Sequence, residues 1–229
     1  MPTSAAIAAY KDLCLDATDA ERVASFWAKA IGGELGVQSN GDAVVRGLGF
    51  GRLWVNVVPE RKVVKNRVHL DVRTPSIDPL LDLGATVIDA HDGWTVLADP
   101  EGNELCAFPG DVHGPGPVEA FALCVDSDEP EALASWWQAI LGGEVGTGSD
   151  GAPRWLHGAA GLGGLTMKFV RVGDERSVKN RCHWDVDVAH VDDLVARGAT
   201  VLAEPSDDCR WTVLADPQGN EFCAFTADG

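Results

Sequence analysis

The feature that most constrains the fold is a duplication within the chain. The segment WTVLADPEGNELCAF begins at Trp94 and recurs as WTVLADPQGNEFCAF from Trp211, with thirteen of fifteen positions identical. Upstream, KNRVHLDV recurs as KNRCHWDV 114 residues later, and ASFWAKAIGGELG recurs as ASWWQAILGGEVG 110 residues later. A period this long predicts two tandem domains, because the units of solenoid repeats are only about 20–50 residues long.

The duplication places one domain in residues 1–112 and the other in residues 118–229. The segment between the copies, Gly110 to Pro117, is rich in glycine and proline, as domain boundaries commonly are. Each copy therefore has the size of a common globular domain.

The composition argues against several classes of function. The formal net charge of −17 disfavours nucleic acid and anionic membranes as partners, since both would repel the chain. The N-terminus lacks the basic and apolar segments of a signal peptide, and no apolar run reaches the roughly 20 residues of a membrane span. The six cysteines form no CxxC pair, which indicates reduced thiols and a cytoplasmic protein.

Each copy begins with a short strand, around Lys11 to Asp16 and Ala120 to Asp126, where the alternation in LCLD and LCVD suits a half-buried strand. A helix follows, for which Thr18 and Glu21 have the spacing of a capping box and which the pair Gly32-Gly33 ends. The equivalent residues of the second copy are Asp128, Glu131 and the pair Gly142-Gly143. Further strands are predicted at Ala43 to Arg46, Leu53 to Pro59, Trp155 to His157 and Leu165 to Val172.

The pattern then restarts on a smaller scale within each copy. RVHLDV predicts a strand, SIDPLLDLG a short helix that ends at Gly84, GATVID a strand, and WTVLADPEGNELCAF a hairpin. Each copy therefore contains two βαβ-type halves, and the predicted fold class is α+β. When LCLD is aligned with VHLD, Cys14 takes the position of His69, and Cys124 takes that of His183.

These motifs resemble those of the vicinal oxygen chelate superfamily, in particular its glyoxalase-like and bleomycin-resistance-like domains. The resemblance rests on FWAKAIGGE, NRVHLDV, GATV and DPEGNELCAF with their counterparts, and it covers nearly the whole chain twice. It implies tandem glyoxalase-like domains with four βαβββ modules whose curved sheets form cups. Members include glyoxalases, extradiol dioxygenases, epimerases, thiol transferases that act on fosfomycin, and metal-free proteins that sequester bleomycin or similar drugs.

The resemblance also implies candidate metal ligands, since catalytic members bind metal through the first and last strands of each module. In the last strands of the first modules the equivalent place falls near Trp54 and Thr166 or Lys168, and none of these is a usual ligand. Each cup thus offers at most a cysteine, a histidine and a glutamate, which suits one Zn²⁺, Fe²⁺, Ni²⁺ or Mn²⁺ or leaves the cup without a metal. The candidate ligands are Cys14, His69, Glu104, Cys124, His183 and Glu221.

Two functions are compatible with these residues. In the first, the protein is a metal-dependent lyase, isomerase or dioxygenase acting on a small organic molecule, with Glu104 or Glu221 as the catalytic base. In the second, it is a metal-free protein that binds a small molecule, such as a drug, and Trp54 stacks on a planar ligand. Retention of a histidine and a glutamate in both copies favours the first function. The missing fourth ligand favours the second.

Two arginines complete the predicted site. Strand alternation places Arg67 on the same face as His69 and Asp71, with the equivalent arrangement for Arg181 in the second copy. A guanidinium beside a cup can bind a substrate carboxylate or phosphate through two hydrogen bonds. The alternative is that each arginine forms an ion pair with an acid at the rim of its sheet.

The sequence leaves the pairing of the four modules open. Modules 1 and 2 can form one cup and modules 3 and 4 the other, or modules 1 and 4 can pair, and likewise modules 2 and 3. In both arrangements one chain holds the four modules that single-domain relatives assemble as a dimer. We therefore expect a monomer, with a homodimer as the alternative.

Overall fold

The computed structural model describes residues 5–148, 151–173, 176–207 and 209–227. The strands in these ranges are β1 (Ala8–Ala17), β2 (Glu34–Val37), β3 (Ala43–Arg46), β4 (Leu53–Val57), β5 (Val68–Thr74), β6 (Thr86–His91), β7 (Trp94–Ala98), β8 (Glu104–Pro109), β9 (Glu119–Ser127), β10 (Glu144–Thr147), β11 (Pro153–His157), β12 (Thr166–Arg171), β13 (Cys182–Val188), β14 (Thr200–Ala203), β15 (Thr212–Ala215) and β16 (Glu221–Phe225). The helices are α1 (Ala20–Ile31), α2 (Asp78–Asp82), α3 (Pro130–Leu141) and α4 (Val191–Val195).

These elements repeat one βαβββ module four times along the chain. Module 1 runs from β1 to β4, module 2 from β5 to β8, module 3 from β9 to β12, and module 4 from β13 to β16. The predicted α+β class and the four modules are both confirmed. The sequence missed the short strands β2 and β10, because each has only four residues and none of these is buried.

The modules pair across the two sequence copies. Sheet A has the strand order β14-β15-β16-β13-β1-β4-β3-β2, and sheet B has the order β10-β11-β12-β9-β5-β8-β7-β6. Sheet A therefore consists of modules 1 and 4, and sheet B consists of modules 2 and 3. Of the two arrangements left open by the sequence, the structure adopts the one in which both cups are shared between the copies.

The first strands of the paired modules meet at the centre of each sheet. In sheet A, β1 runs antiparallel to β13, and Cys14 lies opposite His183. In sheet B, β5 runs antiparallel to β9, and His69 lies opposite Cys124. This register places one cysteine and one histidine side by side on the floor of each cup.

The starts of the two long helices differ from the prediction, whereas their glycine ends are confirmed. Asp19, and not Thr18, caps α1, since its carboxylate accepts a hydrogen bond from the Arg22 N–H at 3.1 Å. The Thr18 hydroxyl instead donates to the carboxylate of Glu101. Helix α3 begins at Pro130 with no side-chain cap, so Asp128 does not have its predicted role. None of the helices in the described ranges is long and apolar enough to cross a membrane.

An aromatic cluster joins the two sheets into one core. Trp137 projects from α3 of module 3 and is fully buried. Its ring packs edge-on against Trp184 and Phe222 of sheet A, with centroid distances of 4.9 and 5.1 Å. Its indole N–H donates to the Asp216 carboxylate at 3.2 Å. Such aromatic contacts each contribute about 0.5–1.5 kcal/mol beyond the burial of their area.

The linker between the copies lies tightly against the end of α1. The Val118 N–H donates to the Ala30 carbonyl at 3.1 Å. A Cβ atom at Gly116 would lie only 2.4 Å from that carbonyl oxygen and from the Ile31 carbonyl carbon. Two residues earlier, a Cβ atom at Gly114 would meet no atom within 4 Å.

We therefore expect Gly116→Ala to destabilise the protein by about 1–3 kcal/mol, because backbone atoms must shift to admit the methyl group. Gly114→Ala is the matched control, and its effect should stay within about 0.5 kcal/mol. Urea unfolding followed by tryptophan fluorescence measures both changes. Equal effects of the two substitutions would show that the linker does not pack as described.

Candidate functional site

Sheet A encloses a large cavity. Its volume is about 930 Å³, within the range of cavities that hold small organic ligands. The first and last strands of modules 1 and 4 supply its floor, and Cys14, His183 and Asp185 lie there together. The Cys14 thiol donates a hydrogen bond to Asp185 Oδ2 at 3.4 Å. One potential ligand atom from each of the three side chains lies within 4.8 Å of the others.

Burial changes the acid–base properties of these three side chains. Desolvation raises the pKa of Asp185 to about 7, and the nearby Asp12 adds to the rise. Desolvation lowers the pKa of His183, so its imidazole is neutral at physiological pH. Burial and the neighbouring Asp185 raise the pKa of the Cys14 thiol. Without a cation, burial therefore favours the protonated, uncharged forms of Asp185 and Cys14.

Aromatic side chains form part of the cavity wall. Trp54 on β4 pairs with Cys14 along the sheet, and its indole N–H donates to Asp12 Oδ2 at 3.3 Å. Trp211 stacks on Phe225, with ring centroids 5.3 Å apart. Trp54, Trp211 and Phe225 all line the cavity, so a planar ligand has apolar surfaces to contact. Trp54 thus lies in the cavity wall, and its role in binding stays a prediction.

Glu221 lines the same cavity but is held by neighbouring groups. Its carboxylate pairs with Arg176 and accepts the Asn180 N–H at 3.1 Å. The side-chain amide of Asn180 also donates to Asn220 at 3.2 Å, and Asn220 donates to Asp216 at 2.9 Å. These hydrogen bonds join the NR motif to the DPxGNE motif, which explains why the two motifs recur together in the sequence.

Glu104 has the same role in the other copy. Its carboxylate pairs with Lys62 at 2.7 Å and accepts the Asn66 N–H at 3.0 Å. Among the described residues, three groups of acid, histidine and cysteine side chains come close enough to share a metal ion, and neither Glu104 nor Glu221 belongs to one. The assignment of these glutamates as ligands and bases stays a prediction.

The cup of sheet B contains a lysine where sheet A has a tryptophan. Lys168 on β12 pairs with Cys124, as Trp54 pairs with Cys14. Its ammonium group lies 2.8 Å from Asp71 Oδ2, and Asp71 Oδ1 lies 3.3 Å from His69 Nε2. Burial opposes a charge on Lys168, but Asp71 outweighs this effect and raises the lysine pKa. A built-in cation thus neutralises the buried acid of this cup.

The ammonium group of Lys168 also lies over two aromatic rings, those of Phe108 at 5.2 Å and Trp155 at 5.4 Å. Cys106 lies beside His69, and its Sγ atom is 3.4 Å from Nε2 of the imidazole ring. Burial opposes protonation of His69, but Cys124 and Asp71 outweigh it and raise its pKa. Two of the three groups of potential ligands contain His69, but the raised pKa of its imidazole and the ammonium group of Lys168 oppose binding of a divalent cation in this cup.

The two predicted arginines lie outside the cup of sheet A. Arg181 donates to the backbone carbonyls of Glu60 and Asp16, at 2.8 and 2.9 Å, and Arg67 donates to the carbonyl of Asp126 at 3.3 Å. Both line a separate cleft of about 430 Å³ between the two copies. Asp185 was not identified from the sequence as a candidate metal ligand, although strand alternation placed an aspartate on the same face as each histidine.

Comparison with known proteins agrees with this architecture. The model of the glyoxalase-like domain matches residues 12–108 and again residues 122–225. The chain belongs to the glyoxalase-like domain family. This family is part of the vicinal oxygen chelate superfamily, so the resemblance drawn from the motifs is confirmed. No curated protein matches the sequence.

Solved structures share the fold at low sequence identity. Glyoxalase I from Zea mays superposes with a TM-score of 0.67 at 11% identity, over 96% of this chain and 92% of that one. A candidate dioxygenase from Bacillus subtilis gives 0.55 at 14% identity, over 96% and 86%. The cppA protein from Streptococcus pneumoniae gives 0.52 at 11% identity, over 94% and 98%. At these identities the likeness extends to the fold alone.

The donor set of sheet A suits a divalent metal. A thiolate, a neutral imidazole and a carboxylate are ligands of Zn²⁺ and Fe²⁺, and three protein ligands leave a coordination position for water or substrate. Ligand atoms bound to Zn²⁺ at about 2.0–2.3 Å lie roughly 3–4 Å apart, so the three groups would need only small shifts. The raised pKa values of Asp185 and Cys14 agree with this, since a cation would remove the cost of their negative charges.

The Asp185 pKa predicts how stability depends on pH in the metal-free protein. Its value of about 7 in the native state exceeds the usual 3.8, so the native state retains a proton that the unfolded chain loses. Stability should therefore fall as pH rises from 5 to 8, by about 2–3 kcal/mol from this group. Asp185→Asn should remove about 2–3 kcal/mol of that fall.

Chemical denaturation at pH 5 and pH 8, in the presence of a chelator, measures the effect. Asp187→Asn is the matched control, because Asp187 lies two residues further along β13 and its side chain is exposed. Its variant should retain the pH dependence of the wild type. If Asp185→Asn retains it as well, Asp185 is ionised throughout the range.

Proposed function

We propose that the cup of sheet A is the active site of a metal-dependent enzyme that acts on a small organic molecule. The observation that carries this proposal is the cluster of Cys14, His183 and Asp185 on the floor of the 930 Å³ cavity. The reaction class is that of a lyase, isomerase or dioxygenase. Fold likeness to glyoxalase I and to a candidate dioxygenase supports it, together with membership of the glyoxalase-like family.

Each side chain of the cup has a proposed role. Cys14, His183 and Asp185 hold one divalent ion, which when bound polarises a substrate oxygen or acidifies a water molecule. Trp54 and Trp211 bind and orient the organic body of the substrate through their rings. Glu221 is the proposed proton acceptor, because it lines the cavity in β16, the strand that runs parallel to the His183 strand. Glu104 has no part in this proposal, since Lys168 neutralises its cup.

A second candidate function rests on one observation. The fourth ligand position of the family is occupied by Trp54, and Glu221 is engaged by Arg176 and Asn180. A cavity of this size with aromatic walls also suits a metal-free protein that binds a planar molecule, such as a drug. The two candidates differ in one measurable property, which is the affinity of the cup for a divalent metal.

Metal analysis of protein purified without chelator, followed by calorimetric titration of the metal-free form with Zn²⁺, Ni²⁺, Mn²⁺ and anaerobic Fe²⁺, tests the proposal. We expect one metal per chain. His183→Ala should weaken binding at least about tenfold, as loss of a ligand does. His69→Ala is the matched control, because it removes the equivalent side chain from the other cup and should leave the stoichiometry unchanged.

Circular dichroism and thermal unfolding establish that both variants are folded. Absence of metal in the purified protein and of any uptake in the titration would refute the enzyme as proposed and favour the metal-free binding protein. Binding of two ions per chain, or loss of the ion in His69→Ala, would contradict the assignment to sheet A alone.

A further inference from the structure

The cup of sheet A holds one positive charge that no acid of the protein neutralises. Among the described residues, three basic side chains line its cavity, those of Lys11, Arg52 and Lys179. The Lys11 ammonium group lies 2.9 Å from Asp187 Oδ1, and that of Lys179 lies 2.8 Å from Asp16 Oδ2. The exposed guanidinium group of Arg52 makes no ion pair or hydrogen bond with any residue that the structure describes.

Two acids of the cup have partners other than this guanidinium group. Asp12 is only 4% exposed, and its carboxylate accepts the backbone N–H of Arg52 at 2.9 Å and the indole N–H of Trp54 at 3.3 Å. The carboxylate of Glu221 pairs with Arg176. The side chain of Arg52 is therefore not needed to satisfy either acid.

The other acids that face the cavity are provided for in the same way. The carboxylate of Asp42 accepts the backbone N–H of Val57 at 2.8 Å and the side-chain amide of Asn40 at 2.6 Å. Asp185 accepts the Cys14 thiol at 3.4 Å, and burial raises its pKa to about 7. The positive charge of Arg52 is thus available to a ligand.

Arg52 and Trp54 face the cup from the same stretch of chain. Arg52 immediately precedes β4, and both side chains line the cavity, whereas Leu53 between them is buried in the core. Trp54 lies opposite Cys14 in the sheet. Residues two apart on a strand are about 7 Å from each other. A planar molecule on the Trp54 ring can therefore contact the guanidinium group at one end and approach Cys14 at the other.

The cup of sheet B has no arginine in the equivalent place. Thr166 lies two residues before Lys168, as Arg52 lies two residues before Trp54, and it pairs with Ala122 in the sheet. The ammonium group of Lys168 is bound to Asp71 at 2.8 Å. An unpaired cation on the strand next to the central pair thus distinguishes the cup that contains the cluster of Cys14, His183 and Asp185.

We propose that the cup of sheet A binds a planar organic molecule that carries one carboxylate, and that Arg52 selects for this group. The guanidinium group donates two parallel hydrogen bonds to the carboxylate, and the Trp54 ring stacks on the planar body. One free positive charge suits a monoanion. A phosphate dianion would need a second cation, and Lys11 and Lys179 are already paired. This inference rests on the proposed function, since it names the substrate class of the same cup.

Calorimetric titration of the metal-free protein, in the presence of a chelator, tests the proposal with three compounds of equal ring size. They are naphthalene-2-carboxylate, the neutral naphthalene-2-carboxamide and the cationic 2-naphthylmethylamine. We expect the carboxylate to bind at least about fivefold more tightly than the carboxamide, and the amine to bind most weakly. Higher ionic strength should reduce the preference for the carboxylate. Removal of metal prevents direct binding of the carboxylate to an ion.

Arg52→Gln should abolish this preference, because glutamine retains an amide donor but no charge. Affinity for the carboxylate should fall at least about fivefold, to that of the carboxamide, while affinity for the carboxamide stays unchanged. Arg46→Gln is the matched control, since Arg46 is exposed on β3 of the same sheet and does not line the cavity. It should retain the preference. Trp54→Ala should weaken binding of both compounds alike.

The proposal is overturned if none of the three compounds binds, if the carboxylate and the carboxamide bind equally well, or if the amine binds most tightly. Retention of the preference in Arg52→Gln would also overturn it. Circular dichroism establishes that the variants are folded. Metal uptake is measured separately, so a protein that binds metal without preferring the carboxylate contradicts this inference alone. A protein that prefers the carboxylate but takes up no metal contradicts only the metal-dependent enzyme.

Discussion

The antiparallel pairing of β1 with β13 and of β5 with β9 is the constraint on which the rest of the structure depends. Each pair joins the first strand of a module from one copy to that of a module from the other copy. It closes each eight-stranded sheet at its centre and brings a cysteine opposite a histidine. The cavity of sheet A, its donor cluster and the cleft between the copies all follow from this register.

Identical topology yields two chemically different cups because one register position differs. Trp54 pairs with Cys14 in sheet A, and Lys168 pairs with Cys124 in sheet B. The lysine ammonium satisfies the buried Asp71 within the protein, whereas burial raises the pKa of Asp185, the acid in the equivalent place of sheet A, to about 7. The duplicated modules thus share one fold, but the difference between Trp54 and Lys168 makes the cup of sheet B self-neutralised and leaves the cup of sheet A open to a ligand.

Much of the architecture was predictable from the sequence, because the repeats align and several of the strands show an alternation of apolar and polar residues. The module boundaries, the glycine ends of α1 and α3 and the position of Trp54 in the cup follow from local patterns. The choice between the two module pairings did not, since it depends on contacts between strands far apart in the chain. The binding of Glu221 by Arg176 and Asn180 was equally hidden, because a conserved-looking motif does not show whether its carboxylate faces a ligand or closes a loop.

The central pairing of sheet A has a consequence for biosynthesis. Cys14 and Asp185 are 171 positions apart, so β1 leaves the ribosome long before the strand that completes its sheet. Until module 4 emerges, module 1 presents an unpaired edge and the apolar face of a half-built cup. Sheet B, whose modules adjoin in sequence, can close first and hold the nascent chain compact. The order of synthesis therefore allows the self-neutralised cup of sheet B to form before the cup of sheet A is complete.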